Sequence, residues 1–387
     1  MKYIVILGDG MADEPLEELG GMTPLAYART PNMDRIAREG RTGMLKTVPE
    51  GFEPGSDIAN LSVLGYNPRE YYTGRGPLEA VSMGIDLGPA DLAYRCNLVT
   101  VEDGIMTDFS AGHISSAEGA ALFKDLGARL PDVGLHPGIS YRNLLVLPGG
   151  QGAVTTPPHD IVGEPVAGYM PEGPDADILL KCMEESRRVF ASHSVTAGRV
   201  RSGKRPATMI WPWSGGKKPS LPPFRERYGL SGGMISAVDL LNGIARCAGM
   251  EVIRVPGATG YLDTDYEAKA LYAIEALRRL DFIYLHVEAP DEAGHLGSVR
   301  EKLRAIERVD DIVGTVLDAV EGIIAVLPDH PTPIRLKTHT GDPVPFAVRG
   351  LGRDDTSAYS EKDARKGSFG LMDAMDFLPV LTGKKTV

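Results

Sequence analysis

The chain has 387 residues, 43% hydrophobic and 24% charged, an ordinary globular composition and enough length for two domains. A formal net charge of −11 argues against a general nucleic-acid or anionic-membrane binder, so an anionic substrate must be held by local cations or metal ions. No apolar run approaches the ~20 residues needed to cross a bilayer, and Cys96, Cys182 and Cys247, scattered and without CxxC spacing, fit a reduced, cytoplasmic setting.

Tyr3 to Leu7 is a continuous apolar run ending in Gly8-Asp9-Gly10, a buried parallel strand and turn rather than a signal peptide. Pro31 opens a helix that closes at Gly40, and Pro54-Gly-Ser56-Asp57 introduces a short helix stopped at Gly65. Ser56 is expected at its N-cap, where free backbone N–H groups favour an anion. After about Gly88 the grammar changes. Residues 94–101 and 105–108 read as a β-hairpin turning at Asp103-Gly104, followed by a helix over 116–126, a strand over 139–147 and a helix over 176–192. These antiparallel signals, separated by Gly- and Pro-rich loops, indicate an inserted α+β domain over 89–195.

The strand–helix rhythm returns from Ala207 onward. Helices are expected over 236–248, 266–279 and 301–320, and strands over 251–255, 282–288 and 322–327. Residues 1–88 and 196–387 therefore form the main domain, an α/β core with a mostly parallel sheet flanked by helices. In such a sheet, sites gather outside the carboxyl ends of the strands.

Three separate strands end in possible metal ligands: Asp9, then Asp291 with His295, then Asp329 with His330. The i, i+4 spacing of Asp291 and His295 lets both project from one helical face, and Pro331 fits a tight turn after Asp329-His330. His339, in Thr338-His339-Thr340, is a further candidate. Taken singly, Asp9 could be a turn residue, Asp291 and His295 a solvated helix start, and His339 a surface histidine. Taken together, they would engage three of the chain's eight histidines. His286, inside a strand, reads as structural. Mixed carboxylate and imidazole ligands suit Mn²⁺ or Zn²⁺, and Mg²⁺ less well. A hydroxyl beside two such ions is deprotonated more easily, which offers Ser56 a role as nucleophile. Spacing alone leaves that role and a plain helix cap both open.

Gly8-Asp9-Gly10, Pro54-Gly-Ser56-Asp57, Asp291-Glu-Ala-Gly-His295, Pro328-Asp329-His330 and Thr338-His339-Thr340-Gly-Asp-Pro-Val-Pro-Phe346 together resemble the archaeal-type 2,3-bisphosphoglycerate-independent phosphoglycerate mutases of the alkaline phosphatase superfamily. The likeness runs over essentially the whole chain. It implies an alkaline-phosphatase-like core with a phosphotransferase-like insert. Asp9, Ser56, Asp329 and His330 would surround one ion, and Asp291, His295 and His339 the other. Ser56 would carry a phosphoserine while 3- and 2-phosphoglycerate interconvert without a bisphosphoglycerate cofactor.

Recognition of a phosphate and a carboxylate suits bidentate arginines. Candidates are Arg75, Arg95 and Arg142, joined by His159-Asp160 and by Lys217 or Lys218. Arg95 and Arg142 stand out because each interrupts an otherwise apolar strand of the insert. Where the family usually has Arg-Ala-Gly-Arg, this chain has Ser110-Ala111-Gly112-His113, so His113 would replace one fixed positive charge with a titratable donor. That substitution keeps a homoserine kinase or a phosphomonoesterase in view. No phosphate-binding glycine loop of the GxxxxGK[ST] kind accompanies it. A non-catalytic binding protein on the same scaffold would have lost metal ligands, and here the set is intact.

Overall fold

The computed structural model describes residues 1–386. In chain order its strands are β1 (Tyr3–Gly8), β2 (Arg41–Lys46), β3 (Leu92–Glu102), β4 (Ile105–Asp108), β5 (Gly134–Ile139), β6 (Arg142–Leu147), β7 (Met209–Lys217), β8 (Gly232–Ile235), β9 (Glu251–Val252), β10 (Phe282–Val287), β11 (Ile323–Leu327), β12 (Val344–Arg349) and β13 (Gly370–Asp373). They divide between two compact units, Met1–Tyr72 with the chain from Ser220 on, and Thr73–Pro219.

The first unit is built on an eight-stranded sheet in the order β13-β2-β12-β11-β1-β10-β8-β9. β1 pairs in parallel with β10 on one side and β11 on the other, so Leu7 faces both His286 and Leu327 in register. β8, β9 and β13 extend the parallel pairing, while β12 is antiparallel to both neighbours. Successive strand side chains face opposite sides of a sheet. Ile4 and Ile6, Ile283 and Leu285, and Ile324 and Val326 accordingly enter one core with Met33, Ile36, Ala273, Ile306, Val309 and Val313 of the covering helices. Each fully buried Ile or Val there contributes on the order of 1.5–3 kcal/mol. The expected helices form over Pro31–Glu39, Asp239–Cys247, Tyr266–Ala276 and Val299–Ala319.

The second unit centres on β3, which pairs antiparallel with β6 along one stretch and with β7 along nearly the same residues, its far end pairing with β4. The Asp103-Gly104 turn has both residues at positive φ (49° and 78°), as a tight hairpin requires. The expected borders at 88/89 and 195/196 are corrected by this pairing. β7 hydrogen-bonds to β3, and Ala80 of the helix Arg75–Ser82 packs with Ala93, Leu144 and Val146 of β3 and β6, so both elements belong to the second unit. The strand expected over 139–147 is likewise a hairpin of β5 and β6. Its apolar run conceals a reversal at Ser140, whose φ of 58° the sequence pattern does not announce.

Candidate active site

The carboxyl ends of β1, β10 and β11 lie side by side in the first unit, and the candidate ligands project from there. Asp9 follows β1 directly, its N–H still donating to Val287 O at 2.9 Å. The chain then turns at Gly10 (φ 60°), where a Cβ would come within 2.7 Å of Asp291 and Thr332; only glycine fits that approach. After β10 the helix Ala289–Leu296 presents Asp291 and His295 on one face, as the i, i+4 spacing predicts. His295 Nε2 lies 3.1 Å from Asp291 Oδ2 and 3.0 Å from His339 Nε2, and His339 Nε2 lies 3.4 Å from Asp291 Oδ1. After β11 come Asp329 and His330, both fully buried. Asp329 accepts from the N–H groups of Gly10 and His330 and from Asn60 Nδ2, at 3.2, 3.0 and 2.8 Å. His330 Nε2 lies 3.5 Å from Asp9 Oδ1 and 3.6 Å from Asp329 Oδ2.

The helix Ser56–Val63 begins one residue earlier than expected: Gly55 is the N-cap and Ser56 the first helical residue. A capping serine would turn its hydroxyl onto its own helix. Released from that duty, the Ser56 hydroxyl sits 3.2 Å from His330 Nε2 and 3.4 Å from Asp9 Oδ2. Ser56 is half-buried while Asp9, Asp329 and His330 are enclosed, so the hydroxyl lies at the accessible edge of the cluster.

The electrostatics of this arrangement call for a cation. Burial pushes the Asp9 carboxyl well above its ordinary range, and the negative charges of Asp329, Glu288 and Asp291 push it further. Asp9 Oδ1 is buried without any hydrogen-bond partner, and so is Glu288 Oε2. A buried, unpaired carboxylate oxygen is costly, and a divalent ion satisfies it. For Asp291, burial works to raise the carboxyl, but hydrogen bonds with His295 and His339 outweigh it and hold the group well below its usual value. The same hydrogen bond, donated to Asp291, raises His295 to about 9. Asp291, His295 and His339 bring their ligand atoms within 4.8 Å of one another, as do Asp9, Asp291 and His330. The donor set thus suits two divalent ions of the kind that take mixed oxygen and nitrogen ligands.

Several participants were not evident from the sequence. His286, expected to be structural, places Nε2 3.0 Å from Asp9 Oδ2 and 3.7 Å from Glu288 Oε2. Its position two residues before Glu288 on a strand was the available signal. Asn60 lies one helical turn beyond Ser56 and receives Tyr284 OH on its Oδ1 at 2.6 Å while donating to Asp329. Thr332 donates its hydroxyl to Asp291 Oδ1 and approaches His330 Nδ1 at 3.3 Å, touching both ligand groups.

The second unit gathers a different cluster. Alternation along β3 sends Cys96 and Leu98 into the main core of that unit and turns Arg95 toward the opposite face, which the helix Arg75–Ser82 covers. There Arg95 Nε meets Glu79 at 3.2 Å, and its guanidinium lies 4.4 Å over the Trp213 ring. Burial lowers the Arg95 pKa; Glu79 opposes that shift, and the nearby charges of Arg75 and Arg142 add to it. His159 is also lowered by burial, against Asp160 and in the same sense as Arg95 and Arg75. Five of the seven candidates, Arg75, Arg95, Arg142, His159 and Asp160, therefore feel one another. His113 joins them only through rings, 6.2 Å from Tyr141. Lys218, like Lys217, is exposed at the end of β7.

A serine hydroxyl among buried carboxylates and imidazoles, at the carboxyl edge of a mostly parallel α/β sheet, is the kind of site that metal-dependent phosphoryl-transfer enzymes use. Within that class, the chain belongs to the 2,3-bisphosphoglycerate-independent phosphoglycerate mutase family. A family model of that description matches residues 37–196. Proteins of that name from Methanothrix thermoacetophila and, as its second form, Methanothermobacter thermautotrophicus are 53% and 54% identical, covering 98% of this chain and 99% and 97% of their own. Among solved structures, a Pyrococcus horikoshii protein aligns with a TM-score of 0.86 at 33% identity over 100% of this chain and 98% of its own. A cofactor-independent phosphoglycerate mutase from Thermoplasma acidophilum aligns with a TM-score of 0.68 at 27% identity, over 99% and 100%. Among the described residues, no helix is long and apolar enough to cross a membrane.

Proposed function

We propose that this chain interconverts 3-phosphoglycerate and 2-phosphoglycerate through a phosphoserine on Ser56. The observation that carries this reading is the Ser56 hydroxyl, 3.2 Å from His330 and 3.4 Å from Asp9, in a cluster where Asp9 Oδ1 and Glu288 Oε2 have no hydrogen-bond partner. The names of the full-length relatives support it.

Asp9, Ser56, Asp329 and His330 would hold one divalent ion, and Asp291, His295 and His339 the other, with Mn²⁺ the expected metal. Such ions ease loss of the hydroxyl proton and neutralise charge on a transferring phosphoryl group. Asn60 and the N–H groups of Gly10 and His330 fix the Asp329 carboxylate, and Thr332 fixes Asp291, so the cluster is held in place before substrate arrives. The first residues of the helix Ser56–Val63 offer N–H groups with no partner inside the helix, a favourable place for phosphate oxygens.

Ser56 Oγ attacks phosphorus, the bond to the C3 oxygen breaks, and glycerate is left with a restored C3 hydroxyl. The C2 hydroxyl then attacks the phosphoserine and Ser56 recovers its proton, so both half-steps balance and no bisphosphate is needed. In the second unit, Arg75, Arg95, His113, Arg142, His159, Asp160 and Lys218 are the residues proposed for recognising phosphoglycerate, His113 standing where the family has arginine. We place the reaction in the cytoplasm, in keeping with three cysteines scattered along the chain without CxxC spacing.

The test is a coupled assay on purified, Mn²⁺-loaded protein, offered 3-phosphoglycerate or, separately, homoserine with ATP. Formation of 2-phosphoglycerate without added bisphosphoglycerate is expected. Phosphohomoserine formation, or release of inorganic phosphate alone, would overturn the assignment.

A further inference from the structure

The segment Asp108–His113 of the second unit holds three successive residues at positive φ, two of which resist it. Ala111, Gly112 and His113 have φ of 48°, 63° and 48°, and only glycine takes such values without steric cost. Something must hold the segment there. Asp108 does part of this, accepting from Ser110 N and Oγ at 2.7 and 2.6 Å and from Gly112 N at 3.0 Å. The rest comes from Arg199, on the helix Ser194–Arg201, a guanidinium only 3% exposed. Its Nη2 donates to the carbonyls of Ala111 and Gly112 at 2.8 and 3.0 Å, its Nη1 meets Glu118 at 2.9 Å, and its Nε donates to Arg205 O at 2.9 Å. The planar fork is thus used on every edge.

What this clamp presents is a wall of rings. Phe109 lies 5.7 Å from Tyr141 and 6.1 Å from His159; His113 lies 6.2 Å from Tyr141; His159 lies 5.2 Å from Trp213, over which Arg95 rests. Arg142 in turn sits 5.7 Å over Tyr141. Buried Asn97 ties the ends together, donating to Phe109 O at 3.1 Å and accepting from Trp213 Nε1 at 3.0 Å. The strained segment is therefore continuous, ring to ring, with the arginines assigned above to phosphoglycerate.

We propose that Arg199 is a positioning residue for substrate recognition: without touching substrate, it holds Phe109 and His113 in the left-handed loop that completes the anion-binding surface. The proposal rests on the assignment of that surface to phosphoglycerate. Lysine at 199 keeps the charge but cannot bridge two carbonyls, Glu118 and Arg205 O at once.

In full-length, Mn²⁺-loaded Arg199→Lys, we expect the KM for 3-phosphoglycerate to rise about tenfold with kcat within about twofold, the share of binding lost when a recognition element loosens. Amide hydrogen exchange over residues 108–115 should quicken while the rest of the chain keeps its protection. Glu118→Gln takes the charge out of one arm of the clamp, a milder loosening, and should raise KM about threefold; it decides the matter if Arg199→Lys does not fold. Faster exchange in the loop with an unchanged KM, or a fall in kcat at constant KM, would overturn the proposal. Absence of mutase activity in the unmutated protein would instead overturn the functional assignment.

Discussion

The two units solve the problem of holding charge in opposite ways. The first unit buries its ionisable groups: Asp9, Asp329 and His330 are fully enclosed, and Asp9 Oδ1 and Glu288 Oε2 have no hydrogen-bond partner, a need that divalent ions would meet. The second unit spreads its groups from buried to exposed: Arg95 and Glu79 side chains are 11% and 18% exposed, those of His159 and Asp160 44% and 59%, and arginines are balanced against Glu79 and aromatic faces. A buried site with one nucleophile should fail all at once, whereas a surface shared among many groups should fail by degrees.

The sharpest way to break this contrast is Ser56→Ala. Turnover should drop by roughly 10⁴-fold or more, while circular dichroism and bound metal stay nearly normal. Survival of mutase activity would remove the nucleophile and with it the all-or-none character of the first unit. Chelation comes next: activity should vanish and the melting temperature fall by several degrees as the acidic cluster loses its counter-ions. Mn²⁺ should restore both better than Mg²⁺; equal rescue by Mg²⁺ would argue against the imidazole-rich site.

In the second unit the effect should be graded. Arg95→Lys should raise the KM for 3-phosphoglycerate about tenfold to a hundredfold with a smaller change in kcat; a change in metal content would place Arg95 in the other cluster. The smallest effect belongs to a carboxylate of the first unit away from its site. Burial works to raise the Asp354 carboxyl, but N–H donors from Ser368, Thr42 and Thr356 outweigh it and bring it to about 2. A depressed carboxyl contributes stability above its unfolded value near 4 and loses it as pH falls through about 2. Asp354→Asn should therefore lower the melting temperature by a few degrees at neutral pH and flatten its fall between about pH 4 and 2, with unchanged KM.

The same contrast decided what could be read from residues alone. Asp9, Asp291, His295, Asp329 and His330 could be grouped from the sequence because strand ends in a parallel sheet share one edge, whereas His339, in the loop between β11 and β12, was found by its motif alone. Ser56 was legible in kind but misplaced by one residue, since Gly55 takes the cap and no pattern reports that exchange. The contact of His286 with Asp9 was not legible, because a histidine inside an apolar strand looks the same whether it faces core or carboxylate. The second unit was harder. Arg95 declared itself by interrupting β3, but Phe109, Tyr141 and Trp213 meet through rings that no periodicity encodes, and the borders moved because β7 returns to pair with a strand far upstream.

β1 lies between β10 and β11, and this sets the order in which the molecule can be made. A ribosome working at roughly 5–20 residues per second delivers Asp9 on the order of tens of seconds before Asp329. Until β10 is made the opening strand has no parallel neighbour, and its second one, β11, arrives only just before Asp329. The acidic pocket is consequently a late product of synthesis, and a nascent chain would have little means of capturing ions there early.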